Sequence, residues 1–182
     1  MSDAAPTKDE LKLAQLPHQL FLFNSIGNHV LLTVITVSVA MSNPLLTLLI
    51  PIVSAIIVAF TLIRGGGLKN HASLLVRCHW GIAMRRTRML LIGYAAIGTA
   101  ATIAWLLYTQ VGIMKELAFA LAGGLGILPF MVMVLGLTII ESETLNHAGD
   151  GFSPDWARRR FGTEAEVKVL EEELAANAAA DA

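Results

Sequence analysis

The sequence has little charge for its length. Asp, Glu, Lys and Arg make up only 15% of its 182 residues, against about 25% in an average soluble domain. Hydrophobic residues make up 55%, and the mean hydropathy is +0.64. The core of one soluble domain of this size could not bury so many apolar side chains. This composition excludes a disordered chain and predicts an integral membrane protein.

Cysteine and the common catalytic motifs are scarce or missing. Cys78 is the single cysteine, which excludes an intrachain disulfide and a CxxC or Cys/His metal site. The sequence contains no P-loop, GxGxxG, HExxH or GxSxG pattern. The N-terminal residues do not show the basic, apolar and small-residue regions of a cleavable signal peptide. We therefore expect no enzyme activity, no cofactor, no metal site and no nucleic-acid partner.

Long apolar segments are abundant. A bilayer core of about 30 Å is crossed by about 20 apolar residues in a helix, and four segments meet this requirement: 20–41, 44–63, 89–108 and 117–140. The sequence therefore predicts an all-α integral membrane fold with four transmembrane helices. Ser42-Asn43-Pro44 favours a tight turn between the first two. No charged residue falls inside a predicted span, which weighs against a proton-coupled pump built from this chain alone.

The charges are segregated along the chain. Residues 64–88 carry six Lys and Arg and no acid, whereas residues 141–182 carry ten acids and four bases. Because basic short loops face the cytoplasm, we expect the 64–88 loop and both termini to be cytoplasmic in a bacterial inner membrane. The predicted organisation is a cytoplasmic or interfacial segment at 1–19, a transmembrane domain at 20–140 and an acidic cytoplasmic tail at 141–182.

The basic loop has a helical pattern of its own. Gly65-Gly66-Gly67 predicts a flexible break, and the residues from Leu68 onward predict an amphipathic helix on the inner membrane surface. Its cations either contact anionic lipid or an acidic partner, or serve only to set topology. The candidate contact residues are Arg77, Arg85, Arg86 and Arg88.

The acidic tail shows a second helical signal. Thr163 and Glu166 have the spacing of a capping box that opens a short helix. A helix of this length is not stable alone in water. It therefore frays, packs on the basic loop of the same chain or docks on a partner.

One face of the first span is polar. Its residues recur at helical spacing and are Asn24, Ser25, Asn28, His29 and Thr33. They indicate either a surface for a ligand, quinone or water, with His29 as the titratable centre, or hydrogen bonds between helices. The other histidines fall in predicted loops or flanks, so we do not expect haem ligation; they are His18, His71, His79 and His147.

Small residues recur at close spacing in the third and fourth spans, a pattern that lets helix backbones approach each other. The candidate packing residues are Gly93, Gly98, Ala118, Ala122, Gly124 and Gly126. The glycines and Pro129 also weaken the fourth helix, which indicates either a transporter-like broken helix or close packing with a kink.

The function expected from these features is that of a non-catalytic subunit or scaffold in a larger membrane assembly for secretion, respiration or transport. Its partners would be the lipid bilayer, anionic lipid, and other membrane subunits or copies of itself. One alternative is a small channel or facilitator formed by one or several copies, which needs only polar uncharged lining groups. A second alternative is a membrane redox or quinone-binding protein.

Overall fold

The fold is a bundle of long helices followed by two short ones. The computed structural model describes residues 5–32, 34–36 and 44–180, and all regular structure in these residues is helical. Four helices are long and apolar enough to cross a membrane: α1 Lys8–Thr36, α2 Leu49–Gly67, α3 Leu74–Val111 and α4 Lys115–Gly149. The two short helices are α5 Asp155–Phe161 and α6 Glu164–Ala180. The prediction of an all-helical chain with four potential membrane spans is confirmed.

Parts of the predicted first hairpin lie outside the described residues. These parts are Thr33, the end of the first predicted span at 37–41, and Ser42 and Asn43 of the predicted turn. The described chain resumes with a short 3₁₀ helix, Pro44–Leu48, that leads into α2.

Helix α1 begins twelve residues before the predicted first span. A capping box starts it: the Thr7 hydroxyl accepts from the Glu10 N–H, and the Glu10 carboxylate accepts from the Thr7 N–H. These bonds satisfy two of the backbone donors that a helix start leaves free. The helix then widens into π-helical geometry over Phe23–Leu32, a feature that often marks functional positions. The N-terminal segment is thus part of the bundle.

Pro17 lies inside α1 although proline usually disrupts a helix interior. Proline has no N–H, so the carbonyl of Leu13, four residues earlier, loses its intrahelical donor. The indole Nε1 of Trp80 in α3 donates to that carbonyl at 2.8 Å. Trp80 is only 1% exposed, so water cannot replace this bond. The contact therefore compensates the proline and fastens α1 to α3.

The basic segment 64–88 differs from the predicted surface loop. Gly65, Gly66 and Gly67 form the last turn of α2, and α3 begins at Leu74 and continues unbroken through the third predicted span. A Cβ on Gly65 would lie 2.7 Å from Met84 Cγ. The glycine therefore permits close contact between α2 and α3, and it does not act as a flexible break. The first turns of α3 are buried because other parts of the chain cover them.

The acidic tail is one of the parts that cover α3. Ala157 and Phe161 of α5 pack on Cys78 and Ile82 of α3. Gly81 leaves room for this contact, since a Cβ there would lie 2.6 Å from the Phe161 ring. The α5 part of the tail thus packs on the basic segment of its own chain. The helix for which the sequence leaves three alternatives is α6, and its first turn pairs with that segment through Glu166 and Arg77.

The predicted small-residue positions divide into two groups. Gly93 and Gly126 lie where α3 and α4 meet, and a Cβ on Gly126 would be 3.1 Å from Ala100 Cβ. Ala118 is buried and Ala122 is half-buried. Gly98 and Gly124 are exposed, and each has open space where a Cβ would lie. The first group, which consists of Gly93, Ala118, Ala122 and Gly126, contributes to packing within the chain, whereas Gly98 and Gly124 do not.

Candidate functional site: a buried histidine, glutamate and arginine cluster

Four ionisable side chains meet at one end of the bundle, where α1 and α3 begin and α4 ends. We call His18 of α1, His79 and Arg86 of α3, and Glu141 of α4 the ionic cluster. His18, His79 and Glu141 are each 0% exposed. A buried charge is costly unless it is paired and hydrogen-bonded, so each member of this cluster is expected to have such partners.

Helix geometry brings the cluster together. His79 and Arg86 are seven residues apart on α3, which is about two turns, so they share a face. Arg86 Nη1 donates to Thr144 Oγ1 at 2.9 Å and lies 3.0 Å from Glu141 Oε2. Glu141 and Thr144 are three residues apart on α4 and thus neighbours on its surface. Arginine therefore joins α3 to α4 through two side chains.

The two imidazole rings form a row between two oxygen atoms. His18 Nδ1 contacts Glu141 Oε2, and His18 Nε2 lies 2.9 Å from His79 Nδ1. His79 Nε2 lies 3.0 Å from the carbonyl oxygen of Phe152, in the connection between α4 and α5. The rings are nearly perpendicular, at 87°. This row links α1, α3, α4 and the start of the tail by hydrogen bonds.

Glu141 uses its two oxygens unequally. His18 and Arg86 both contact Oε2, whereas Oε1 is buried and has no hydrogen-bond partner within the described part of the chain. Two positively polarised groups on one oxygen stabilise the carboxylate anion.

The ring nitrogens of the ionic cluster are all used within the row. Both ring nitrogens of His18 and of His79 are engaged in the row, so none of these four nitrogens has a lone pair directed at an open position. Among the residues that the structure describes, no group of three or more His, Cys, Asp or Glu has an arrangement that could hold a metal ion.

The ionic cluster is not among the sites predicted from the sequence. His18 and His79 are predicted in loops or flanks, and Glu141 just after the last span, whereas all three lie within long helices. The spacing of His79 and Arg86 in α3 was an available signal. However, the partner of His79 is His18, 61 residues away along the chain, and the partner of Arg86 is Glu141, 55 residues away. Nothing local in the sequence indicates either pairing.

A second polar group surrounds His29, inside the bundle. Asn24 Nδ2 donates to Ser54 Oγ of α2 at 3.0 Å, and Asn28 Nδ2 donates to the Ile50 carbonyl at 2.9 Å. Tyr94 of α3 contacts His29 Nε2 with its hydroxyl, which also lies 2.7 Å from Ser54 Oγ. The predicted polar face thus meets hydroxyl groups from two other helices.

Ser25 is the member of that face with a different environment. Its hydroxyl is buried and has no hydrogen-bond partner among the described residues. The residue lines an apolar groove of about 310 Å³ between α1 and α4, together with Thr138. Thr33, the last predicted member, lies outside the described residues.

The four predicted lipid or partner contacts also divide into two groups. Arg85 and Arg88 are exposed, and the guanidinium of Arg85 lies 5.8 Å from the centre of the Trp156 ring. Arg86 belongs to the ionic cluster. Arg77 is only 8% exposed and bonds within the chain, so in the structure it and Arg86 do not present a charged surface to lipid.

Arg77 fastens the tail. Its Nε donates to the Phe161 carbonyl at 3.2 Å, its Nη1 donates to the Ala72 carbonyl at 3.1 Å, and its Nη2 pairs with Glu166. Partial burial alone would raise the pKa of Glu166, but hydrogen bonds from Thr163 and Arg77 outweigh that effect and lower it. Glu166 is thus held as an anion facing a buried cation.

Comparison with known proteins finds no matching family model, no significant relative among curated proteins and no significant match among solved structures.

Proposed function

We propose that this chain is a non-catalytic membrane subunit or scaffold that associates with further transmembrane helices, either copies of itself or other subunits of an assembly. The observation that carries the proposal is the exposure of Gly98 on α3 and Gly124 on α4, where nothing lies within 4 Å of the position of a Cβ. Glycine destabilises a helix interior by about 1 kcal/mol relative to alanine. At a lipid-facing position, its benefit is that it lets another helix approach closely.

The charged end of the bundle supports the orientation in this proposal. Arg85 and Arg88 are exposed on the part of α3 that precedes its apolar stretch. Positive residues beside a span favour the cytoplasmic side, so we place this end, and with it α5 and α6, in the cytoplasm of a bacterial inner membrane. The exposed cations and the acidic α6 would then face soluble or peripheral partners.

The surroundings of His29 favour a subunit over a channel. A channel needs polar groups that line an open path. Asn24, Asn28 and His29 instead bond to groups of α2 and α3, and such bonds between helices are a common means of holding a bundle together.

The proposal is tested by measuring association in membranes. Copies labelled with donor and acceptor dyes are reconstituted in vesicles, and the protein is also extracted from its native membrane in polymer nanodiscs for mass determination. We expect a complex, and we expect Gly98→Leu and Gly124→Leu to weaken it at least about tenfold, or about 1.4 kcal/mol.

Ala55→Leu is the matched control, because it enlarges an exposed small residue on α2 and should leave association unchanged. Particles that contain one copy and no other protein, with no change in either glycine variant, would show that the proposal is wrong.

A further inference from the structure

The row of hydrogen bonds through His18 and His79 contains more links than neutral rings can supply. A neutral imidazole has one N–H donor and one lone pair. The row has an acceptor at each end, Glu141 Oε2 and the Phe152 carbonyl, and three links in total. Three links need three protons, and two neutral imidazoles bring two. A carboxylate and a carbonyl bring none, so the row is complete only when one further proton is bound.

The surroundings of Glu141 favour the rings as the place for that proton. Arg86 lies 3.0 Å from the same oxygen that His18 contacts, and a guanidinium at this distance stabilises the ionised carboxylate. With the carboxylate ionised, His18 must donate through Nδ1. His79 must donate through Nε2 to Phe152, which leaves His79 Nδ1 as an acceptor for His18 Nε2.

We propose that the ionic cluster is a proton-binding site that takes up one proton, carried by His18 as an imidazolium, and that this proton fastens the tail to the bundle. The further groups that face the pair are Arg86 from α3, Glu141 and His147 from α4, and the Phe152 carbonyl from the tail connection. Since this property does not require association with other helices, it stands apart from the proposed function.

Loss of the proton has a defined structural effect. His18 keeps its N–H on the side of the charged carboxylate, where the hydrogen bond is strongest. His79 must then donate through Nδ1 to His18, and its Nε2 lone pair faces the Phe152 carbonyl at 3.0 Å. Two acceptors at that distance repel each other. The bond that fails is therefore the one to the tail, and α5 and α6 should loosen as the pH rises.

The protonation state is observed directly by NMR of the full chain in lipid nanodiscs, with histidine labelled by ¹⁵N. Ring nitrogens that carry a proton and those that do not have well-separated shifts, and His18→Gln and His79→Gln assign the signals. We expect one ring of the pair to have both nitrogens protonated while the tail is docked. Two neutral rings in the docked state would overturn the proposal.

The effect on the tail is measured by hydrogen exchange of residues 152–161, between about pH 5 and about pH 8, the range in which histidine commonly changes charge. After correction for the intrinsic pH dependence of exchange, we expect opening of this segment in the wild type to increase roughly tenfold or more as the pH rises over this range. Glu141→Gln removes the requirement for the added proton, because its amide donates to His18 Nδ1 itself. That variant should lose the pH dependence.

Glu143→Gln is the matched control, since Glu143 is exposed on the same helix, and it should behave like the wild type. Equal pH dependence in Glu141→Gln and the wild type, or none in the wild type, would contradict the proposal. If Glu141→Gln does not fold, the NMR measurement on the wild type still decides.

Discussion

The bond between Trp80 and the Leu13 carbonyl provides a sharp test of how α1 tolerates Pro17. Trp80→Phe removes the indole N–H and leaves the carbonyl without the donor that Pro17 also fails to supply. An unsatisfied buried acceptor costs about 1–3 kcal/mol. The smaller ring also leaves a cavity, which adds a cost of similar size. We expect the free energy of unfolding to fall by about 2–6 kcal/mol.

The two contributions are separated by a double-mutant cycle. Pro17→Ala restores an N–H four residues after Leu13, so the carbonyl regains an intrahelical partner. In that background, Trp80→Phe should lose only the cavity contribution. The difference between the two costs, about 1–3 kcal/mol, is the coupling between the proline and the indole.

The assay is reversible unfolding in bicelles, followed by fluorescence and far-UV circular dichroism. Trp105→Phe is the matched control, because Trp105 is 60% exposed in the apolar part of α3 and its replacement should change stability little. Equal costs of Trp80→Phe in both backgrounds, within about 0.5 kcal/mol, would refute the view that the indole compensates for the proline.

Three further predictions concern the tail and the packing of the helices. The pKa of Glu166 lies below its ordinary value of 4.5, because hydrogen bonds from Thr163 and Arg77 outweigh the opposing effect of burial. The stability that ionised Glu166 contributes is therefore fully present above pH 4.5, and it is lost as the pH falls through the lower pKa of the folded state. Acid should therefore loosen the tail as measured by hydrogen exchange, and Glu166→Gln should reduce this effect, while the exposed Glu171→Gln should not. In thermal unfolding, Gly93→Leu should destabilise the bundle by about 1–3 kcal/mol or more by overpacking, since even a Cβ would lie 2.8 Å from Phe130 Cδ2. Gly136→Leu is its control and should be nearly neutral, because that position has open space. Tyr94→Phe removes the hydroxyl that contacts His29 and Ser54. It should cost between about 0.6 kcal/mol, the average for a hydrogen bond between membrane helices, and about 1.7 kcal/mol, the largest such value, in the same unfolding assay. No loss would mean that this hydroxyl contributes nothing net.

The four long helices could be predicted from sequence because a membrane span is a local property. Twenty consecutive apolar residues predict a helix whatever surrounds them. Helix ends were predicted less well, since the absence of charge was used to define them. Arg86 and Glu141 were excluded from the predicted spans for that reason, although each lies well inside a long helix.

The ionic cluster could not be predicted because its contacts depend on packing between distant segments. Arg77 and Arg86 lie in the same basic, acid-free stretch of sequence as Arg85 and Arg88, which are exposed. What distinguishes Arg77 and Arg86 is that each meets a carboxylate, Glu166 for Arg77 and Glu141 for Arg86. The periodicity of a single helix shows which residues share a face but not what that face contacts.

The distribution of the ionic cluster along the chain has a consequence for biogenesis. Its two histidines and its arginine are synthesised long before Glu141, and the Phe152 carbonyl comes later still. A nascent chain that has made only its first three helices can pair His18 with His79, but it lacks the partners of Arg86, and the row is complete only once residues 141–152 have been synthesised. A chain that stopped before Glu141 would keep Arg86 without the two side chains of α4 that hold it.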